Sequence, residues 1–455
     1  MTRLNGARES LRIARGIRYA RAERFRLPVL EAPGPDRLTL SAPQPGALGS
    51  EDCLHLTVWS PAEADSAPVL VWIHGGAHVS GSSTNSATDG ARFAASQGVV
   101  VVAVEYRLGL LGHLHLDRDA AGFADSGNLA LHDQLAALRW VQAYIHRFGG
   151  DPDAVTVMGQ SSGGVDVLAL LASGAGAGLF ARAIAHSCTA ERTASIEQAE
   201  EVRDELLRAA GALAATELVD MPIGLLMRAQ ERVIIERSQR AVIDSLPFRP
   251  LIDGRLLCET PLRSFDRGVG KNVSLLIGTN RHEALPWVDP AGHSVEALHD
   301  LLAAVAPGVA WESVREAMNA DRGSTPSATA AYEAVLSQVM YRLPTARVVA
   351  SRRGALTYEF VFDPDSSEEI RAGHSDELPM LFGDEPNPPA QAALSHRMMS
   401  SWGEFVRHGR PQPEEEWAPS PGGCLSWGPR TKRTSQSDPN LRALLETASA
   451  HADRW

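Results

Sequence analysis

Ala154-Val155-Thr156-Val157-Met158-Gly159-Gln160-Ser161-Ser162-Gly163 changes character halfway along. Its first half is apolar and rich in β-branched residues, the pattern of a short buried strand. Its second half is a G-x-S-x-G pentapeptide, and the residues that follow, to about 171, are apolar and predict a helix. By itself such a pentapeptide could be an ordinary Gly/Ser turn. Between a strand and a helix it is the setting that forces a serine onto a sharp elbow with its hydroxyl exposed.

The same alternation extends outward from the elbow. Residues 69–73 (VLVWI) and 99–104 (VVVVAV) are apolar runs bounded by Gly and polar residues, which predicts buried parallel strands. Leu131, Leu135, Leu138, Val141 and Ile145 recur every three or four residues, so residues 129–148 form an amphipathic helix that stops at Gly149-Gly150. Further strands are expected at 182–186, 273–277 and 356–362. Strands alternating with helices imply an α/β fold: a mostly parallel central sheet with helices on both faces. Two largely helical stretches, 195–245 and 294–350, fit as insertions capping the carboxyl end of that sheet. The expected organisation is a single domain over 1–455.

Composition narrows the function classes. The 455 residues are 44% hydrophobic and 22% charged, with 39 Gly and 28 Pro, which excludes a disordered or fibrous chain. The 43 basic and 55 acidic residues give a net charge of −12, a poor match to nucleic acid or an anionic membrane. The Arg-rich first 25 residues lack the apolar stretch of about 7–15 residues that a signal peptide needs. No apolar run approaches the roughly 20 residues that span a bilayer. Cys53, Cys188, Cys258 and Cys424 are scattered without a C-x-x-C pair, so four free buried thiols and a cytoplasmic location are expected.

A serine nucleophile needs an oxyanion hole, a base and an orienting acid. His74-Gly75-Gly76-Ala77 directly follows the strand at 69–73, where small residues let backbone N–H groups face a developing oxyanion. Among 15 histidines, His282 and His374 lie late in the chain on loops. Glu283 follows one predicted strand and His374 the next, so the order Ser161, Glu283, His374 suits this chemistry. Asp253, in the turn-like Ile252-Asp253-Gly254, is a rival acid. His113-Leu114-His115-Leu116-Asp117 resembles the opening of a metal site, but no further ligands follow at matching spacing, so no metal is expected. No dinucleotide or phosphate-cradling glycine motif is present, and no cofactor is expected.

These segments resemble the type-B carboxylesterase and cholinesterase family of the α/β-hydrolase fold. The resemblance rests on Ser50-Glu51-Asp52-Cys53-Leu54, residues 72–82 (WIHGGAHVSGS), Tyr106-Arg107-Leu108-Gly109, residues 127–134 (GNLALHDQ) and 148–163 (FGGDPDAVTVMGQSSG). It continues through residues 250–254 (PLIDG), 278–283 (GTNRHE) and 373–383 (GHSDELPMLFG). It implies that Ser161 is the nucleophile, Glu283 the acid and His374 the base. The N–H groups of Gly76, Ala77 and Ser162 would form the oxyanion hole. Arg24 with Glu51, and Arg107 with Asp151, look like the family's structural ion pairs.

The implied activity is hydrolysis of small neutral carboxylic esters through an acyl-enzyme. Acyl transfer to another acceptor in a biosynthetic pathway uses the same serine and stays open, as does a non-catalytic adhesion or scaffold member of the fold. The sequence sets neither the oligomeric state nor the natural ester. Gln160, Ser162 and His78 stand where the family usually has Glu, Ala and Phe, and His282-Glu283-Ala284 replaces D-E-G. No aromatic residue precedes Ser50 within residues 45–49 and no carboxylate precedes Ser161, so choline esters should be poor substrates.

Overall fold

The computed structural model describes residues 10–36, 38–47, 49–117, 122–240, 245–364, 372–383, 389–412, 417–419, 423–428, 430–434 and 438–449. Residues 1–9 at the Arg-rich start, 241–244 of the first insertion and Leu48 of the stretch before Ser50 lie outside this set.

Ten strands make one sheet: β1 (Leu11–Arg18), β2 (His55–Pro61), β3 (Ala67–Ile73), β4 (Val100–Val104), β5 (Gly150–Gln160), β6 (Arg182–His186), β7 (Ser274–Asn280), β8 (Thr357–Phe362), β9 (Cys424–Trp427) and β10 (Lys432–Thr434). Their spatial order is β1-β2-β4-β3-β5-β6-β7-β8-β9-β10. From β4 through β9 every pairing is parallel; β1, β2 and β10 join antiparallel at the margins. This is the expected mostly parallel sheet with antiparallel edges added.

Strand β3 shows why these runs read as continuous apolar sequence. Val69, Val71 and Ile73 enter one core with Val155, Val157 and residues of helices α1 (Leu129–Tyr144) and α2 (Ser162–Ser173). Leu70 and Trp72 enter a second core on the opposite face, with Phe93, Met398 and Trp402. Both faces of the strand are covered, so no polar alternation is left to see.

Residues 195–245, expected as a first insertion, carry α3 (Ile196–Ala210) and α4 (Ile223–Ser238), which share an apolar cluster. The second carries α5 (Val295–Val305), α6 (Trp311–Arg322), α7 (Ala328–Ser337) and α8 (Leu343–Ser351). A five-residue π-helical turn, Gln338–Arg342, joins α7 to α8. Helix α9 (Pro389–His408) covers the second face of the sheet, and α10 (Pro439–Ser449) completes the core of the second insertion through Leu441 and Leu445.

Two expectations are corrected. Arg107 pairs with Asp133, not with Asp151: Nε to Oδ2 is 2.8 Å and Nη2 to Oδ1 is 2.6 Å. Arg107 lies beyond the carboxyl end of β4, whereas Asp151 lies at the start of β5, and parallel strands put those positions at opposite ends of the sheet. Asp133, on α1, packs over the end that Arg107 reaches. Arg24 does pair with Glu51, and its Nη1 also donates to the carbonyls of Leu218, Val219 and Met221 at 2.7–2.9 Å, tying residues 218–221 to the loops around Arg24 and Glu51. The second correction concerns the thiols: all four cysteines are free, but Cys258 is exposed while the other three are buried.

Candidate active site

The elbow forms because β5 must turn into α2 without any connecting loop. Ser161 takes φ 56° and ψ −126°, a conformation that side-chain-bearing residues avoid at a cost of about 1–3 kcal/mol. Its N–H donates to the His186 carbonyl at 2.9 Å and its carbonyl accepts from Val165 at 3.0 Å. Strand and helix approach so closely that a Cβ on Gly159 would lie 2.2 Å from the Gly163 carbonyl oxygen. A Cβ on Gly163 would lie 2.3 Å from the oxygen of Ile73. Ser161 is partly exposed, and its hydroxyl forms no hydrogen bond with any described residue.

The loop after β3 lies against the elbow: a Cβ on Gly75 would meet Ser161 Cβ at 3.0 Å. Gly76, Ala77 and His78 all have positive φ, 126°, 57° and 60°. Only Gly76 adopts such a value freely, so the loop is held by side chains below it. Tyr106 donates from its hydroxyl to the His74 carbonyl at 2.6 Å. His78 turns inward to Asp166 of α2, Nε2 to Oδ1 2.9 Å, and Gln134 donates to the other oxygen at 2.6 Å. His78 is therefore a buried strut between this loop and the helix behind Ser161. The N–H groups of Gly76, Ala77 and Ser162 donate to no described residue.

Glu105, at the end of β4, anchors the far side of the loop. Its Oε1 accepts from Ser83 N at 2.7 Å, from Ser83 Oγ at 3.0 Å and from Ser82 Oγ. Its Oε2 and His74 Nε2 lie 3.9 Å apart, each buried without a hydrogen-bond partner among the described residues. Burial pushes the Glu105 carboxyl up to about 7 and the His74 imidazole down to about 4.

The structure brings Glu283 and His374 together and leaves Asp253 and His282 elsewhere. His374 Nδ1 donates to Glu283 Oε2 at 2.7 Å, and Glu283 Oε1 accepts from Asn280 N at 2.7 Å. Asp253 caps its own turn, accepting from Arg255 N, Leu257 N and Asn128 Nδ2. His282 bonds to Glu333 of α7 at 3.0 Å, while Ser337 on the same helix accepts from Ala284 N at 2.9 Å. The acid-bearing loop is thus clamped from both sides of Glu283 by the second insertion. Gln160 links the elbow to the histidine loop: its Nε2 lies 3.3 Å from His374 Nε2 and donates to Ser375 Oγ at 2.9 Å.

Behind these residues runs a buried polar chain that the sequence did not disclose. Trp402 Nε1 donates to His186 Nε2 at 2.9 Å, so His186 carries its proton on Nδ1 and faces Glu377 Oε1 at 3.2 Å. Asn280 Nδ2 donates to Glu377 Oε2 at 2.6 Å. Burial alone would raise the Glu377 carboxyl, but the bonds from His186 and Asn280 outweigh it and hold the group below its ordinary value. Asn280 joins both carboxylates, Glu283 through its main chain and Glu377 through its side chain. The H-x-x-E spacing of His374 and Glu377 was the available signal. His113-Leu114-His115-Leu116-Asp117 keeps His113 and His115 buried, and among the described residues no group of three or more His, Cys, Asp or Glu is arranged to hold a metal.

Residues 16–439 match the Carboxylesterase family. The para-nitrobenzyl esterase of Bacillus subtilis is 33% identical over 80% of this chain and 76% of its own length. The human cocaine esterase is 32% identical over 80% of this chain and 69% of its own. A solved Geobacillus stearothermophilus carboxylesterase superimposes with a TM-score of 0.83 at 29% identity, covering 96% of both chains.

Proposed function

The chain belongs to the carboxylesterase family, and from that premise we propose that it hydrolyses small neutral carboxylic esters through a Ser161–His374–Glu283 triad and an acyl-enzyme. The observation that carries this reading is the 2.7 Å bond from His374 Nδ1 to Glu283, on a loop joined by Gln160 to the elbow that presents Ser161. With Nδ1 donating, Nε2 carries the basic lone pair, which the Gln160 amide faces at 3.3 Å. It takes the Ser161 proton as the oxygen attacks the ester carbonyl, and Glu283 supports the imidazolium. Ser161 and His374 share no hydrogen bond in this structure, and the contact would form when substrate arrives.

The N–H groups of Gly76, Ala77 and Ser162 have no other partner among the described residues and would take up the oxyanion, each at about 3 kcal/mol of barrier. His374 then gives the proton to the departing alcohol, and water attacks the acyl-enzyme by the same route. A chain-length series of 4-nitrophenyl esters tests the reading. Short and medium acyl esters should be hydrolysed, and Ser161→Ala should lower kcat by more than about a thousandfold. Substantial turnover by the alanine variant would refute it.

A further inference from the structure

We propose that the site favours esters bearing a carboxylate on an aromatic ring, with Arg192 as the residue that reads the charge. The proposal rests on the serine-esterase mechanism above and departs from its neutral-ester class in one respect: the same site takes esters whose aromatic ring carries a carboxylate.

The loop that carries Arg192 leaves the carboxyl end of β6, the end at which Ser161 and His374 stand. Its start is fixed by the bond from Ser187 N to the Gly278 carbonyl at 2.8 Å. Its far end is fixed by Ala194, whose N–H donates to Pro250 at 2.8 Å and whose carbonyl accepts from Ile252 at 2.9 Å. Between them Glu191 Oε1 accepts from Arg347 Nη1 of α8 at 2.7 Å. That ion pair cancels the nearest charge on the loop and pins it against the second insertion.

Arg192 is left over. It forms no hydrogen bond or ion pair with any described residue, and its guanidinium carbon sits 6.0 Å from the centre of the Tyr341 ring. Tyr341 is 3% exposed, and its ring centre lies 5.1 Å from that of His374. Trp287 is 48% exposed, stacks on Tyr341 at 6.0 Å and 17°, and lies 5.2 Å from the His374 ring. The imidazole therefore adjoins a stacked aromatic pair whose solvent-exposed surface is that of Trp287, and the Arg192 guanidinium, unpaired among the described residues, lies beside the other ring of the pair. Glu283 forms no ion pair with it, its two oxygens being held by His374 and Asn280.

A planar ring gains by stacking against such a surface. A carboxylate on that ring offers the guanidinium a forked, charge-assisted partner that a neutral amide of the same shape does not. The same guanidinium already covers the Tyr341 face and opposes a second cation, which adds to the reasons for choline esters to be poor substrates.

The test compares kcat/KM within two isosteric pairs. On the alcohol side, 3-carboxyphenyl butyrate is set against 3-carbamoylphenyl butyrate. On the acid side, monomethyl terephthalate is set against methyl 4-carbamoylbenzoate. We expect the carboxylate to be preferred about three- to tenfold in at least one pair, with the preferring pair assigning the side of the ester that Arg192 meets. The preference should shrink in high salt, fall to about one in Arg192→Gln and survive in part in Arg192→Lys. A ratio of one or less in both pairs with the wild-type enzyme overturns the proposal, as does a preference that persists in Arg192→Gln. Should the glutamine variant fail to fold, the wild-type ratios and their salt dependence still decide. Failure of the esterase reading looks different: all four esters would stay intact, or Ser161→Ala would hydrolyse them.

Discussion

Each residue of the proposed triad owes its place to a different device. Ser161 is held by backbone geometry, with flanking glycines that leave no room for a Cβ. His374 is held by two side chains, Glu283 on Nδ1 and Gln160 beside Nε2. Glu283 is fully buried and, among the described residues, accepts only from His374 and a main-chain N–H, so its charge is well placed to fix the tautomer of the base. Glu283→Gln should keep the shape but remove that control. We expect kcat to fall by about 10³–10⁴ with KM little changed, measured on a 4-nitrophenyl ester. A rate within tenfold of wild type would show that Glu283 does not orient the base.

Among elements, the loop after β3 is one whose stability depends on pH. Glu105 ionises at about 7 in the fold, against 4.5 as its ordinary value, because burial disfavours the charge. A raised folded value favours the protonated form, so the contribution is fully present below about 4.5 and is lost as pH rises through about 7. At pH 8 the charged carboxylate costs on the order of 3 kcal/mol. Glu105→Gln keeps an acceptor for Ser82 and Ser83 and removes the charge. Its Tm should exceed that of wild type at pH 8, and the gain should fall to about a quarter of that at pH 5. An equal gain at both pH values would mean that packing, not ionisation, sets the effect.

The same scale explains what the sequence disclosed. The inner strands were legible because burial on both faces leaves an uninterrupted apolar run. The strand Leu11–Arg18 was not, because its edge position tolerates Arg12, Arg15 and Arg18. His55–Pro61 was hidden by the polar residues His55, Thr57 and Ser60 among its buried positions. Helix Leu129–Tyr144 was legible in its heptad-like leucines, although its last turn tightens into a 3₁₀ turn over Ile145–Phe148.

For the molecule as a whole, local chemistry was readable and long-range pairing was not. Ser161, Glu283 and His374 each follow a strand and carry a recognisable neighbourhood, so chain order sufficed to nominate them. Arg192, Trp287 and Tyr341 come together only through the packing of two separate loops and the π-helical turn, and no local pattern marks that meeting. Arg107 was assigned the wrong partner for the same reason: which carboxylate faces it depends on which end of the sheet each strand presents. Burial of the cysteines is also a property of the whole fold. Thiol titration of the native protein should find one reactive group, Cys258, and four after denaturation without reductant. A denatured count of two or fewer would contradict four free thiols.

The central claim is that Ser161, and not its neighbour Ser162, forms the covalent acyl-enzyme. Ser162 Oγ is buried without a hydrogen-bond partner among the described residues, whereas the Ser161 hydroxyl stands at the partly exposed elbow. The direct measurement is reaction with a diethylphosphoryl fluorophosphonate-type reagent, followed by peptide mapping by mass spectrometry. The account predicts one label per chain, on Ser161, with loss of esterase activity in proportion to labelling. A label on Ser162, or full labelling with activity retained, would contradict it.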